Sequence, residues 1–190
     1  RKAMFIDLLL TFFIAFAVLF LMRKVARSVG LVDKPSGRKM HTGNIPLVGG
    51  VAICITIVNY IYTHPNMINH ANLYMICITV LTAVGALDDR FDLSVKIRML
   101  VQSVISIAMI YFAKAELVTL GNILGFGEIV LSYGYLGSIV TVIAVIGCIN
   151  AFNMVDGIDG LLGGLSVVTF SASGILLYGE NEHSLSYLCL

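Results

Sequence analysis

Long apolar runs alternate with short polar connections along almost the whole chain. Most of these runs approach the roughly 17–25 residues that a transmembrane helix needs, and they carry almost no charge. They lie near residues 5–22, 45–62, 71–87, 99–113, 133–152 and 161–178, and a further run begins near residue 185. The pattern predicts an all-α, polytopic integral membrane protein in which residues 1–190 form a single transmembrane domain.

The composition supports a protein that is largely covered by lipid. The chain is 58% hydrophobic and 12% charged, with a mean hydropathy of +0.95, whereas soluble domains carry about 25% charged residues. No basic run with interleaved aromatic residues is present in the sequence, which argues against a nucleic-acid partner. The four cysteines lie inside apolar runs without CxxC spacing, so we expect small buried apolar residues rather than a disulfide or metal framework.

Basic residues are divided unevenly between the connections on the two sides of the predicted bundle. Connections 23–44, 88–98 and 153–160 hold nine Lys and Arg residues, and the other side holds three. The positive-inside rule therefore predicts that these three connections are cytoplasmic and that the N-terminus lies outside. On the outer side, connection 114–132 is rich in Gly and β-branched residues, which predicts a short hairpin or a re-entrant piece.

Five of the eleven acidic residues gather in two short inner connections. They are Asp88, Asp89, Asp92, Asp156 and Asp159. Carboxylates this close together at one membrane surface repel one another unless a cation lies among them. Mg²⁺ prefers a few carboxylates together with phosphate oxygens and water. The pattern therefore predicts a Mg²⁺ site, with Mn²⁺ as the alternative metal.

The first acidic cluster, residues 87–92 (LDDRFD), directly follows an apolar run. In a helix, Asp88 and Asp92 share a face with Asp89 beside them, and such a group can hold a metal ion that bridges a diphosphate. The structural alternative is a solvated connection in which Asp92 caps a helix that starts near Leu93. That alternative accounts for Asp92 but not for the acid pair at a membrane edge.

The second cluster holds two Asn and two Asp within eleven residues. They are Asn150, Asn153, Asp156 and Asp159, and Gly157 and Gly160 each follow one of the acids. The two acids are three residues apart and can point the same way, and the glycines let the backbone approach a phosphate at the start of the next helix. The structural alternative is that Asp159 caps this helix while Gly163 and Gly164 only permit close packing.

A basic, flexible connection precedes the second apolar run. Its Lys and Arg residues, Arg38 among them, and His41 are candidates to bind a nucleotide diphosphate or anionic lipid headgroups. The alternative is that their positive charge only sets the orientation in the membrane. Lys96 and Arg98, at the start of the fourth run, are expected to reach toward the interface rather than to bind substrate.

Four motifs together resemble the polyprenyl-phosphate N-acetylhexosamine-1-phosphate transferases. They are residues 38–41 (RKMH), 45–50 (IPLVGG), 87–92 (LDDRFD) and 153–160 (NMVDGIDG), and the likeness runs over nearly all of the 190 residues. The resemblance implies that undecaprenyl phosphate attacks the β-phosphorus of UDP-N-acetylglucosamine, so that UMP leaves and a lipid diphosphate sugar remains. It further implies a Mg²⁺-dependent, multi-pass transferase of the bacterial inner membrane that begins O-antigen and enterobacterial common antigen synthesis, with a homodimer as a candidate assembly.

The resemblance also implies roles for individual residues. Asp88 and Asp89 are implied to bind Mg²⁺, and the residues implied in catalysis are Asp89, Asp156 and Asp159. The residues implied to bind substrate are Asn150, Asn153, Arg38 and His41. The peptidoglycan relatives usually have Lys after the acid pair, so the sequence DDRFD favours N-acetylglucosamine over a muramyl-pentapeptide donor. The family has a second half with a further aspartate loop and a His/Arg-rich loop. Because this chain starts at Arg1 and stops in an apolar run, we expect an N-terminal part of a longer protein.

Three alternatives stay open at this point. An intramembrane prenyltransferase uses similar paired aspartates with Mg²⁺, but motifs 45–50 and 153–160 do not belong to its pattern. A cation transporter carries carboxylates inside its spans, whereas the apolar runs here are nearly uncharged. The third alternative is a scaffold subunit, in which the acidic residues only belong to solvated connections and have no catalytic role.

Overall fold

The structure, a computed structural model, describes residues 2–29, 32–33, 45–155 and 160–189. These residues form helices and two very short strands. In chain order the elements are α1 (Lys2–Val29), β1 (Val32–Asp33), β2 (Ile45–Pro46), α2 (Gly49–Thr63), α3 (Ala71–Phe91), α4 (Val95–Ala113), α5 (Leu136–Val155), α6 (Leu161–Gly179) and α7 (His183–Cys189). The predicted all-α class is therefore confirmed.

Five helices in the described part of the chain are long and apolar enough to cross a membrane. They are the stretch Ile6–Ser28 of α1 and the whole of α3, α4, α5 and α6, each with at least 19 residues. An apolar helix satisfies its backbone hydrogen bonds internally, as the interior of a bilayer demands. The chain is a polytopic α-helical membrane protein.

The helices differ from the predicted runs at several boundaries, among them the starts of α2 and α4. The second run is expected from residue 45, but α2 begins at Gly49 and has 15 residues. A residue before proline is biased toward extended backbone, and Ile45 and Pro46 accordingly form β2, which pairs antiparallel with β1. The fourth run is expected from residue 99, but α4 begins at Val95. Long charged side chains near the end of a span reach the interface without ending the helix.

The chain divides into two compact units, and the first comprises Arg1–Met67 and Ala71–Arg98. Within it, α2 packs against both α1 and α3. His64 Nε2, just after the end of α2, lies 3.9 Å from Asp7 Oδ2 near the start of α1, so α1 and α2 run antiparallel. α3 has 21 residues and is about 30 Å long. Its C-terminal end therefore lies at the opposite end of this unit from Asp7.

Small side chains are among those buried in the first unit, alongside the larger Ile61. Ala26 and Ala52 are buried, whereas Phe12 and Phe16 of α1 are 63% and 64% exposed. Small residues let helices approach closely in lipid, where apolar side chains gain little from leaving the acyl chains. This distribution is the reverse of that in a soluble protein, and it agrees with a lipid-facing outer surface.

The second unit comprises Ile68–His70 and Met99–Leu190. Within it the buried Ser186 of α7 donates a hydrogen bond to the carbonyl of Gly174 in α6 at 2.7 Å, which joins these two helices. Between α4 and α5, Thr119 and Val130 form an antiparallel bridge. The short hairpin predicted for connection 114–132 is thus confirmed.

The four cysteines are free, as the sequence predicts. Cys54 and Cys77 are buried, but Cys148 is exposed on α5 and Cys189 is half-buried. The prediction that every cysteine is buried is therefore wrong for Cys148. A small apolar thiol is tolerated at this position because the outer face of a membrane helix is itself in apolar surroundings.

Candidate functional site

The first acid pair lies in the last turn of α3. Asp88 and Asp89 are helical, and the helix ends at Phe91. Asp92 follows with a left-handed backbone (φ 53°), and its N–H donates to the carbonyl of Asp88 at 2.8 Å. A left-handed residue that returns a hydrogen bond into the last turn is a common way to end a helix. Asp92 therefore terminates α3 and does not continue the helical face on which Asp88 lies, contrary to the sequence-based hypothesis.

Asp92 does not cap the next helix either. α4 begins at Val95, and the carbonyl of Ser94 accepts hydrogen bonds from the N–H groups of Ile97 and Arg98 at 3.0 and 3.3 Å. Ser94, two residues after Asp92, therefore accepts the first hydrogen bonds of α4. The capping alternative for Asp92 is wrong.

Two carboxylates at the C-terminal end of a helix require a nearby cation. The unsatisfied carbonyls of the last turn carry a partial negative charge, to which Asp88 and Asp89 add. Arg98 of α4 supplies a positive charge, because its Nη1 donates a hydrogen bond to Asp88 Oδ2 at 2.5 Å. Arg98 therefore bonds to Asp88, and its expected reach toward the interface stays a prediction.

The pair formed by Asp88 and Arg98 is largely shielded. The side chain of Asp88 is 13% exposed and that of Arg98 is 26% exposed. Asp88 Oδ1 and Arg98 Nε are buried, and neither has a hydrogen-bond partner among the residues that the structure describes. An unsatisfied buried polar atom costs about 1–3 kcal/mol. A ligand, ion or water gains most by binding at these two atoms.

These residues fit part of a Mg²⁺ site. Mg²⁺ is usually held by one or two carboxylates, while phosphate oxygens and water complete its coordination. Asp88 Oδ1 offers a buried acceptor without a hydrogen-bond partner in the described ranges, and the exposed Asp89 is its neighbour in the sequence. Within those same ranges no group of three or more His, Cys, Asp or Glu side chains converges. A metal at this acid pair would take its other ligands from elsewhere.

Asn150 is held between α4 and α5 in the second unit. Its side-chain amide donates to Gln102 Oε1 at 2.9 Å and to the carbonyl of Ile146 at 2.8 Å. Gln102 is only 7% exposed. Both amide hydrogens of Asn150 are thus used inside the protein, and Oδ1 is the atom left to accept a hydrogen bond from a ligand. The predicted substrate contact of Asn150 can involve that oxygen alone.

The rest of the predicted site is described only in part. Asn153 lies one turn after Asn150 in α5 and is exposed. Asp156 and Asp159 lie outside the described residues, as do Arg38 and His41. The roles of these four side chains stay predictions.

The helix α6 begins directly after Gly160. Gly160 is the N-cap residue, with a left-handed backbone (φ 77°) and no side-chain cap hydrogen bond, whereas the alternative in which Asp159 caps this helix concerns a residue outside the described ranges. A Cβ atom added to Gly163 or Gly164 meets nothing within 4 Å among the described residues. Close packing therefore does not account for these two glycines there. Glycine is the residue that adopts the left-handed conformation at no steric cost.

Two residues that hold predicted site residues in place are absent from the sequence-based set, one in each unit. Arg98 could have been found from the argument that an acid pair at a helix end needs a cation, because it lies in the first turn of the following helix. Gln102 is the only amide side chain in the apolar run 99–113. Polar side chains in membrane helices usually form hydrogen bonds to neighbouring helices. The sequence could therefore have predicted that Gln102 bonds to another helix.

The membrane-spanning helices define the class of this chain as a polytopic α-helical membrane protein, and sequence comparison supplies the family. The family model described as glycosyl transferase family 4 matches residues 71–190, a range that includes the acid pair and Asn150. The chain belongs to this family.

The curated relatives match almost the whole chain. The undecaprenyl-phosphate alpha-N-acetylglucosaminyl 1-phosphate transferase of Escherichia coli K12 is 51% identical over 189 residues, which cover 96% of this chain and 49% of the relative. Its namesake from Yersinia pestis is 50% identical over 183 residues, covering 96% and 50%. That from Haemophilus influenzae is 44% identical over 182 residues, covering 96% and 51%. This chain thus spans about half the length of the curated relatives it matches, and no solved structure matches it.

Proposed function

We propose that the full-length protein transfers N-acetylglucosamine 1-phosphate from UDP-N-acetylglucosamine to undecaprenyl phosphate. Family membership and the names of relatives that are 44–51% identical support this proposal. The observation that carries it is the shielded contact between Asp88 and Arg98 next to Asp89, in which one Asp88 oxygen has no hydrogen-bond partner within the described residues. A lipid phosphate and a water-soluble sugar nucleotide meet at a membrane surface, where the ends of spanning helices lie.

The reaction exchanges one bond at phosphorus for another. An oxygen of undecaprenyl phosphate attacks the phosphorus that carries the sugar, and a P–O bond forms. The bond from that phosphorus to the bridging oxygen of the diphosphate breaks, and its electron pair leaves with UMP. Phosphoryl transfer needs positioning and neutralisation of charge more than covalent chemistry by the protein.

The acids of the two clusters supply the positioning and the neutralisation of charge. Asp88 and Asp89 would hold Mg²⁺, or Mn²⁺ in its place, which when bound neutralises the donor diphosphate. Arg98 fixes the side chain of Asp88 at the end of α3 through its hydrogen bond to Oδ2. Asp89 also orients or deprotonates the lipid phosphate, a task that it shares with Asp156 and Asp159.

The remaining predicted residues bind the sugar nucleotide. Asn150 accepts a hydrogen bond from the donor through Oδ1, the atom not used between α4 and α5. Asn153, exposed one turn further along α5, contacts the donor next to it. Arg38 and His41 attract the negative diphosphate to this surface.

We place the reaction on the cytoplasmic side of the bacterial inner membrane. Nine of the twelve Lys and Arg residues lie in the connections that hold the two clusters and the basic segment, which supports this orientation. The product is then the first lipid-linked intermediate of O-antigen and enterobacterial common antigen synthesis. A homodimer is the proposed assembly.

The test is an assay of membranes that contain the full-length protein, with labelled UDP-N-acetylglucosamine and undecaprenyl phosphate, and with Mg²⁺, with Mn²⁺ or with a chelator. The proposal predicts UMP and lipid diphosphate sugar in equal amounts, and only when a divalent metal is present. Release of pyrophosphate from a prenyl diphosphate would indicate a prenyltransferase instead. Cation flux without either product would indicate a transporter. Each of these two results overturns the proposal.

A further inference from the structure

The hairpin between α4 and α5 ends in an apolar tip, residues 122–127, that the proposed chemistry does not use. Ile123, Leu124 and Phe126 are 69%, 65% and 97% exposed. The tip lies outside the helices of the described chain, so its exposure is not that of a lipid-facing helix side. Large apolar side chains gathered on an exposed surface mark a site of interaction.

Backbone hydrogen bonds hold this hairpin in one shape. The N–H of Leu120 donates to the carbonyl of Ile129 at 2.9 Å, and the N–H of Ile129 donates to the carbonyl of Gly121 at 3.0 Å. Across the tip, the N–H of Gly127 donates to Asn122 Oδ1 at 2.9 Å. The outward position of the three apolar side chains therefore follows from a defined backbone.

The base of the hairpin is fixed against the start of α5. The N–H of Leu117 donates to Thr141 Oγ1 at 2.9 Å, and Ser138 Oγ donates to Glu116 Oε1 at 2.7 Å. A Cβ atom on Gly137 would lie 2.7 Å from the carbonyl of Leu117, so this close approach requires glycine. Thr141 is about 7 Å along the axis from the first residue of α5. The base therefore lies at the level of the first turns of a membrane-spanning helix.

We propose that the hairpin tip inserts into the headgroup layer of the membrane that α4 and α5 cross. Both helices are long and apolar enough to span the bilayer, and the interfacial layer is roughly 5–8 Å thick on each side. Tyr133 and Tyr135 precede α5 and are 78% and 83% exposed, which is typical of aromatic residues at a membrane interface. The tip sequence NILGFG has no charge, so it suits the boundary of the acyl chains better than a charged protein partner.

Tryptophan fluorescence tests this insertion, because residues 1–190 contain no tryptophan and any tryptophan elsewhere in the full-length protein is first replaced by phenylalanine. Phe126→Trp is reconstituted in vesicles of phosphatidylcholine and in vesicles of phosphatidylcholine brominated near the headgroup end of its acyl chains. Ile143→Trp, at a position that is 65% exposed on α5, is the lipid-facing reference. Glu180→Trp, in the exposed turn after α6, is the water-facing reference.

Insertion predicts that the Phe126→Trp protein emits at shorter wavelength than the Glu180→Trp protein, loses most of its emission in brominated vesicles and is shielded from acrylamide. Ile123→Trp repeats the measurement at a second exposed position of the tip. Emission equal to that of the Glu180→Trp protein, with quenching by acrylamide and none by bromine, would overturn the proposal. A second result would also overturn the proposal: short-wavelength emission that bromine does not quench and that shifts to longer wavelength when the protein is diluted in lipid. In that case a second copy of the protein, rather than lipid, would cover the tip.

Discussion

Asp88, in the last turn of α3, and Arg98, in the first turn of α4, are joined by a hydrogen bond of 2.5 Å between Oδ2 and Nη1. The contact closes the short connection between these two helices and neutralises a carboxylate at the negative end of a helix. It also uses only one oxygen of Asp88 and leaves Oδ1 buried. The second oxygen is thus held in place at the end of α3 without a hydrogen-bond partner among the described residues.

Replacement of Arg98 by Met is expected to lower the free energy of unfolding by about 1.5–3 kcal/mol, because a shielded carboxylate loses its charged partner. Asp88→Asn is also expected to destabilise the protein. The double variant should lose less than the sum of the two single losses, since both act on one contact. Unfolding in mixed detergent micelles measures all three values. Strictly additive losses would show that the two side chains are not coupled.

Asp92 is expected to matter for stability through its backbone rather than its carboxylate. Asp92→Val should lower the free energy of unfolding by about 1–2 kcal/mol, because a β-branched side chain disfavours the left-handed conformation. Asp92→Gly should leave the free energy unchanged or raise it, because glycine adopts φ 53° without strain. Unfolding in mixed detergent micelles measures the free energy of unfolding of both variants. An equal loss in both variants would point to the carboxylate instead.

Two glycines of α5 provide a matched pair of substitutions. Gly137→Ala should destabilise the protein and make the hairpin sensitive to proteases, because its Cβ would lie 2.7 Å from the carbonyl of Leu117. Gly147→Ala meets nothing within 4 Å in the described chain and should stabilise the helix by up to about 1 kcal/mol. Limited proteolysis and unfolding in micelles measure both effects. The same behaviour from both variants would contradict the packing at the base of the hairpin.

The hydrogen bond between Gln102 and Asn150 is expected to be worth about 1 kcal/mol. Gln102→Leu and Asn150→Leu should each lower the free energy of unfolding by about this amount, and the double variant should lose little more than either one. Ser103→Ala is the control, because among the described residues Ser103 donates its side-chain hydrogen bond to the carbonyl of Met99 in its own helix. If the control costs as much as Gln102→Leu, the bond between α4 and α5 is not the cause.

The helices could be predicted from the sequence because their signal is local. An apolar run without charge can satisfy its backbone only as a helix in lipid, and α3 and α6 begin at the predicted residues 71 and 161. The boundaries set by single residues were harder to predict. Pro46 shortened α2 at its start, and the left-handed backbone of Asp92 ended α3. Asp tolerates this conformation better than most residues do, but the pattern alone does not say where it adopts it.

The sequence predicts only those residues of the candidate site that are charged or clustered in the chain. The position of Asp88 and Asp89 at the end of an apolar helix follows from the sequence. Their partner does not, because Arg98 is ten positions after Asp88 and the geometry of the turn between them decides whether the two side chains meet. Gln102 is a similar case. A single amide in an apolar run predicts a bond to another helix, but Asn150, forty-eight positions away, is known as its partner only from the fold.

The most direct test of the account is the initial rate of UMP release that depends on undecaprenyl phosphate, measured on the full-length protein. Asp89→Asn is compared with Asp7→Asn, the same chemical change at the opposite end of the first unit. The account predicts a loss of about 100-fold or more for Asp89→Asn and the unaltered rate for Asp7→Asn. An unaltered rate for Asp89→Asn would contradict the assignment of this acid pair to the transfer of the sugar phosphate.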